Sequence, residues 1–276
     1  MSTRDSSFFR RIDIQLPWLK LVAVIVVGAM AILDLLDYTI SKTTDSYIRI
    51  QIAPMSHHVR IKRDITGKKL VALTFDDGPS NAATSRLLDI LYEKDAPATF
   101  FMLGKMARAN PDLVRRAEKE GNIVASHTMY HQNLVRISAN AAKDDIAESK
   151  AVFNDILGHE PMLTRPPYGN INNTVRDNVG APMILWSVDT LDWQSKNVDD
   201  ILAVTKEQVH DGAIILMHDI YDTTVDAVPV VIDELRKEGY DFVTVPELAK
   251  IRGVELEPGT TYYNFRPWVI YETKDS

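Results

Sequence analysis

At 276 residues, with 45% hydrophobic and 25% charged residues, the chain suits one barrel-sized domain with additions or two small ones, and nothing indicates disorder. A net charge of −7 argues against a duplex nucleic acid partner, which selects basic surfaces. Cysteine is absent, which excludes a thiol nucleophile, disulfides and thiolate zinc sites together and leaves His, Asp and Glu as metal ligands.

In chain order, the first feature is an apolar run from Leu16 to Leu33, interrupted only by Lys20, whose long stem can carry its charge to the headgroups. Eighteen helical residues span about 27 Å, close to the hydrocarbon thickness of a bilayer. Arg4, Arg10 and Arg11 precede the run, and Asp34 and Asp37 follow it. That order predicts a cytoplasmic segment over 1–15, a signal-anchor helix over 16–36 and everything later outside the membrane. The alternative is a signal peptide cleaved near Ala31. Residues 37–68 read as a stalk, with accessory strands in the alternation Tyr47-Ile48-Arg49-Ile50-Gln51-Ile52 and a solvated basic linker around His57, His58, Arg60, Lys62 and Arg63.

From Lys69 a rhythm sets in. Strand-like runs at 70–75, 98–103, 122–126, 161–165, 182–188, 213–218 and 241–245 alternate with helical patterns at 81–93, 105–120, 139–157, 171–179, 198–210, 224–238 and 246–252. Seven alternations predict an α/β fold, a distorted (β/α)7-type barrel over 69–252, with a tail over 253–276. An open doubly wound sheet is the alternative. No two glycines are spaced G-x-G, so no nucleotide cofactor is expected.

Five polar clusters fall at the ends of these strands, the face on which α/β barrels carry their chemistry. The first is Asp76-Asp77-Gly78-Pro79-Ser80, where one acid can hold a metal while its neighbour stays free as a base. Its bland reading is a helix N-cap, with Asp77 or Ser80 closing the helix that starts near Asn81. Next come His127 and His131, two imidazoles that meet on one face and bite one ion if the chain coils after the strand. In Arg165-Pro166-Pro167-Tyr168, the first free amide after two prolines is a candidate oxyanion donor, and Arg165 is suited to a bidentate grip on a carboxylate. The fifth strand runs into Asp189-Thr190-Leu191-Asp192-Trp193, and the sixth ends at His218, a plausible general acid if an acid from a neighbouring strand holds its tautomer.

Thr74-Phe75-Asp76-Asp77-Gly78-Pro79, His127-Thr128-x-x-His131, Arg165-Pro166-Pro167-Tyr168-Gly169, Asp189-x-x-Asp192-Trp193 and Leu216-x-His218 resemble, in order, the five motifs of the NodB-type polysaccharide deacetylases, carbohydrate esterase family 4. The anchored layout and the run Val243-Thr244-Val245-Pro246-Glu247-Leu248 resemble the membrane-anchored peptidoglycan N-acetylglucosamine deacetylases of Gram-positive bacteria. The resemblance implies that Asp77, His127 and His131 bind one divalent metal ion, zinc first, with Co2+, Mn2+, Ni2+ or Fe2+ as alternatives. It implies Asp76 as the base, Arg165 as its orienting partner, His218 as the acid and Asp189 as the residue holding His218, with an Asp189–Arg165 pairing as the other arrangement. The Tyr168 amide would receive the oxyanion, and Leu216 and Trp193 would enclose the acetyl methyl. The implied substrate is the N-acetylglucosamine of cell-wall glycan, processed by a monomer whose product would resist lysozyme. An O-acetyl esterase or chitooligosaccharide deacetylase of the same family is the near alternative. A metal-independent glycosidase using Asp189 and Asp192, or a binding-only barrel, is the distant one. A serine hydrolase lacks its G-x-S-x-G elbow. The aromatic tail, Tyr262 to Tyr271, belongs to none of these motifs and reads as packing across the barrel.

Overall fold

A computed structural model describes residues 64–267. The expected cytoplasmic segment, the anchor over 16–36, the stalk up to residue 63 and the tail beyond 267 lie outside the described residues. Among the described residues, no helix is long and apolar enough to cross a membrane.

The elements run β1 (Lys69–Asp76), α1 (Asn81–Glu93), β2 (Ala98–Met102), α2 (Gly104–Ala109), α3 (Pro111–Lys119), β3 (Ile123–Ser126), α4 (Ala139–Leu157), α5 (Asn173–Val179), β4 (Met183–Ile184), β5 (Val188–Asp189), α6 (Asp192–Ser195), α7 (Val198–Gln208), β6 (Ile214–His218), α8 (Asp222–Lys237), β7 (Tyr240–Phe242), α9 (Val245–Ile251) and β8 (Thr261–Tyr262). This is an α/β fold on a parallel sheet of order β3-β2-β1-β6-β5, with β7 paired to the first three residues of β1. β1 pairs with β2 and β6 and is apolar almost throughout, as a strand covered on both faces must be. Its odd positions Val71, Leu73 and Phe75 join the core that also holds Leu87 and Leu88 of α1 and Val228 and Ile232 of α8. Its even positions Leu70 and Ala72 join a second core with Phe101, Leu163, Ile184 and Phe265. The same period of two carries Thr74 and Asp76 onto that second face.

The expected fourth strand, 161–165, shrinks to a single bridging residue, Thr164, between Ser126 and Met183. Pro161, Pro166 and Pro167 frame it and have no N–H to give to a ladder. The expected fifth strand splits. β4 pairs with β8, and Leu185 N donates to Tyr262 O, whereas Ser187 N donates to Ile214 O and β5 pairs with β6. The tail then returns to the start of β6, where Asn264 bridges Ala213 and Phe265 N donates to Gly212 O. Hydrogen-bonded neighbours therefore form a ring, and the described part of the aromatic tail closes it, with Tyr262 stacked on a buried Phe265.

Two helical differences have local causes. The single helix expected over 105–120 breaks at Asn110, because Pro111 disfavours helical geometry in the residue before it; Asn110 sits at φ −132°. The last strand stops at Phe242 because Thr244 caps α9 in a capping box with Glu247. Gly158 and Gly180 close α4 and α5 in left-handed geometry.

Candidate active site and metal centre

Asp76, the last residue of β1, points into the ring and is almost wholly buried. Arg165 reaches it from the strand-like segment after Thr164 and is buried completely. The expected bidentate grip is not what forms. Arg165 Nη1 donates to Asp76 Oδ1 at 2.6 Å and to Thr74 Oγ1 at 2.9 Å, while Nε and Nη2 donate to the carbonyls of Ile184 and Leu185 at 2.9 and 3.0 Å. Its guanidinium lies 4.0 Å from the centre of the Phe101 ring. The fork is thus spread between the carboxylate and the broken fifth strand, and one oxygen of Asp76 is left for other work. Burial pushes the Asp76 carboxyl above the ordinary range, with Arg165 pulling it back.

Asp77 follows in the left-handed region at φ 75°, and both carboxylates face His127, with Asp76 Oδ2 also 3.6 Å from His127 Nε2. His127 and His131 converge on Asp77 without the helical turn that the four-residue spacing suggests. The loop instead places Thr128 at φ 71° and His131 at φ 58°. Asp77 Oδ1 lies 3.6 Å from His127 Nε2 and 3.4 Å from His131 Nε2, and one ligand atom from each of the three residues falls within 4.8 Å of the others. His127 Nδ1 lies 2.7 Å from the Arg165 carbonyl. Nδ1 is therefore the donor and Nε2 keeps its lone pair for the cluster. Burial, against the pull of Asp77, pushes His127 down to about 3, so the ring is neutral at physiological pH. Asp77 Oδ1 is buried and accepts no hydrogen bond. A buried acceptor without a donor, beside two imidazole lone pairs, fits a divalent cation, for which tetrahedral ligand atoms stand about 3.3–3.6 Å apart.

The sixth strand ends in His218, and here the structure corrects the expected partner. Asp192, not Asp189, holds the ring: Asp192 Oδ1 lies 2.8 Å from His218 Nδ1, and Oδ2 accepts from His218 N at 2.7 Å and from Thr224 Oγ1 at 2.8 Å. Trp193 N also donates to Oδ1 at 2.9 Å. The cause is the turn after β5. Leu191 adopts φ 54°, which swings the residue after it back beneath His218, and the short α6 begins there. Asp189 instead accepts the Leu191 amide at 3.0 Å and pairs with neither His218 nor Arg165. Burial draws His218 down, but the bond to Asp192 and the charges of Asp192, Asp76 and Asp77 together push it up to about 9.

These groups line one cleft of about 510 Å³, with Tyr168, Trp193, Leu216 and Asp189 on its walls. Tyr168 sits at φ 61° and its ring meets that of His131 edge-on at 4.7 Å. Leu216 is buried, and Trp193 is half exposed at the mouth. Every expected site residue thus reaches the cleft or, like Arg165, stands directly behind it. Sequence reasoning missed Trp186 and Tyr221, which complete the lining, and Asp192 as the partner of His218. A signal for Asp192 existed in its repeat spacing with Asp189, but choosing between the two acids needs the Leu191 turn. Asp192 is also unavailable as a glycosidase carboxyl, because it is fully buried and committed to His218, Thr224 and Trp193.

Comparison with known proteins decides the family. A family model described as polysaccharide deacetylase matches residues 63–183. A solved family 4 acetyl xylan esterase from Clostridium thermocellum, in complex with a cobalt ion, superposes with a TM-score of 0.68 at 32% identity, over 72% of this chain and all of that one. The chain belongs to the polysaccharide deacetylase family. Among curated deacetylases, it is 40% identical over 196 residues to the peptidoglycan-N-acetylglucosamine deacetylase PgdA of Listeria monocytogenes, covering 71% of this chain and 41% of that protein. It is also 40% identical over 185 residues to the peptidoglycan-N-acetylmuramic acid deacetylase PdaC of Bacillus subtilis, covering 67% of this chain and 40% of that protein. The chain thus spans about two fifths of the length of these two deacetylases.

Proposed function

We propose that this polysaccharide deacetylase family member is a metal-dependent amidohydrolase that removes N-acetyl groups from an extracellular glycan, the N-acetylglucosamine of peptidoglycan first, releasing acetate. The observation that carries this reading is the unpaired Asp77 Oδ1 between two imidazoles, with Asp76 and His218 on the same cleft. Asp77, His127 and His131 would hold the ion, zinc first as the family resemblance implies, with cobalt, manganese, nickel or iron as alternatives, since two imidazoles and a carboxylate suit several of these metals. When bound, a divalent cation polarises the acetyl carbonyl and acidifies the attacking water.

The chain's own residues supply the proton transfers. Asp76, aimed by Arg165, takes the proton of the attacking water. The Tyr168 amide donates to the developing oxyanion, and Leu216 and Trp193 enclose the methyl group. His218, held by Asp192, gives its proton to the departing amine, which cannot leave as an anion. Ester cleavage makes less demand on that proton, but a protonated His218 serves either leaving group. The similarity to the acetyl xylan esterase keeps the O-acetyl ester as the second reading. Residues 16–36 would anchor a monomer in the cell membrane with its catalytic domain outside, or be cleaved near Ala31 to release it. The amines left on the glycan are cationic at neutral pH and no longer suit enzymes that read the acetamide, lysozyme among them.

The test is acetate release from N-acetylated peptidoglycan and from acetylated xylan by the full chain, with chelator, metal add-back and the Asp77→Ala variant. Metal-restored acetate from peptidoglycan, lost in Asp77→Ala, is the expected result. Acetate from xylan alone moves the assignment to the esterase, and shortened glycan without acetate sinks both.

A further inference from the structure

The three metal ligands are carried by two turns, and both turns are held in backbone geometry that their residues do not favour. Asp77, Thr128 and His131 are non-glycine residues at φ 75°, 71° and 58°. Such positions cost of order 1–3 kcal/mol each and persist only where the surroundings over-determine them. Part of that over-determination is backbone. Gly104 N and Lys105 N donate to the carbonyls of Thr128 and Met129 at 2.8 and 3.1 Å, His127 N donates to Met102 O at 2.8 Å, and Leu103 N donates to Gly78 O at 2.9 Å.

The remainder comes from two buried carboxylates that the chemistry above does not use. Asp145, on α4, accepts the amide of Met129 at 2.6 Å, midway between the two histidines. Asp219, the residue after His218, accepts from Thr84 Oγ1 at 2.5 Å, and the same hydroxyl accepts the Ser80 amide at 2.7 Å. That relay ties the far end of the Asp77-Gly78-Pro79-Ser80 turn to the end of β6. The Asp219 carboxylate also packs against the backbone of Gly78, where an added Cβ would lie 2.1 Å from Oδ2. Any side chain at that position would have to displace the Asp219 carboxylate from the turn. Both acids are buried, and each leaves one oxygen, Asp145 Oδ2 and Asp219 Oδ1, without a hydrogen bond. Buried and half-satisfied carboxylates are costly, so their placement against these two turns calls for a compensating role.

We propose that Asp145 and Asp219 are positioning residues of the metal centre: neither is a ligand, and each clamps one of the two strained turns that carry the ligands. The clamp on the histidine loop is the amide bond to Asp145, and the clamp on the Asp77 turn is the Asp219–Thr84–Ser80 relay. This rests on the metal-dependent reading. Outer-shell partners of metal ligands are worth about 10–100-fold in affinity, and a clamp of this kind acts there before it acts on the reaction.

The experiment is zinc affinity by chelator competition on the full chain, with thermal unfolding of the metal-free protein alongside. Asp145→Leu and Asp219→Leu remove the acceptors and should each weaken zinc binding by about 10–100-fold. Asp145→Asn keeps an oxygen for the Met129 amide and should stay within about threefold of wild type. The control is Asn122→Ala, which removes a buried acceptor of the Ala98 amide away from the centre. It should lower stability and leave zinc affinity unchanged. Should a Leu variant fail to fold, Asp145→Ala and Thr84→Val are read the same way. The proposal is overturned by Leu variants that bind zinc as wild type does, or by an Asn122→Ala that loses as much affinity as they do. A wild-type protein that binds no divalent metal sinks the metal centre and this proposal with it; unchanged affinity in the variants sinks this proposal alone.

Discussion

On one side of the Asp77–His127–His131 cluster Arg165 stands behind Asp76; on the other, Asp192 stands behind His218. Both are ion pairs between nearly or wholly buried groups, at 2.6 and 2.8 Å. They differ in which partner meets the cleft. In the first, the cation is the hidden member, with no exposure, and the carboxylate lines the cleft. In the second, the carboxylate is hidden, and the imidazole, 14% exposed, lines the cleft. Order suits role: a cation behind a carboxylate favours its ionised form against the pull of burial, and a carboxylate behind an imidazole favours its protonated form. One kind of pair, used in opposite orientations, would supply both halves of the proton cycle of the proposed reaction.

The comparison breaks most severely at Arg165. Arg165→Met keeps the length of the side chain and removes its donors, leaving Asp76 buried without its cation and Thr74, Ile184 and Leu185 without the guanidinium. Loss of one partner of a buried pair costs about 3–5 kcal/mol, which denaturant unfolding reads directly, and acetate release should vanish with it. Unchanged stability would mean that Asp76 is readily satisfied as a neutral acid, and the base assignment would fall.

Asp192→Asn probes the opposite pair with a smaller expected effect. The asparagine preserves shape and removes the charge that holds His218 up near 9. Activity at neutral pH should drop by about 10²–10⁴-fold, the usual worth of a positioned acid. The alkaline limb of the rate profile, set near pH 9 in the wild type, should move toward neutrality. Stability should follow the same group. A folded-state pKa raised above the ordinary 6.5 contributes stability that is complete below pH 6.5 and is lost as pH rises through about 9. Thermal midpoints between pH 6 and 10 should therefore fall in the wild type and stay flatter in Asp192→Asn. A wild-type midpoint that rises across that window contradicts the His218–Asp192 pair.

Much of this site is legible in the chain because β1 is so regular. Its period of two separates Asp76 from Asp77, and the strand-end rule collects His127, Arg165 and His218 on one rim. What is not legible is set by turns. Asp77, Thr128, His131, Tyr168 and Leu191 all take positive φ without being glycine, so local propensity points elsewhere and only tertiary bonds hold them. The four-residue spacing of the histidines suggested a helical turn; the observed loop reaches the same convergence with two left-handed residues. The return of the tail to Gly212 and Ala213 is equally silent in sequence, because a two-residue strand such as β8 has no periodicity to read. Asp145 and Asp219 are ordinary acids until α4 and β6 are folded against the turns they hold.

Asp189→Asn is the smallest effect and the sharpest test of the order argument. Asp189 and Asp192 are three residues apart, both acidic, and both close to His218 in sequence logic, yet only Asp192 touches it. Asp189 spends one oxygen on the Leu191 amide, a bond that asparagine can keep by presenting its own oxygen. Its charge has no ion-pair partner among the described residues, so neutralising it leaves both flanking pairs intact. The alkaline limb should then remain near pH 9, the unfolding midpoint should stay within the scatter of surface substitutions, about 0.5 kcal/mol, and any loss should sit in KM rather than kcat, because Asp189 lines the cleft where the sugar would lie. A downward move of the alkaline limb comparable with that of Asp192→Asn would show that the two acids share His218. The pair behind the acid would then be a triad, and the symmetry with Arg165 and Asp76 would be lost.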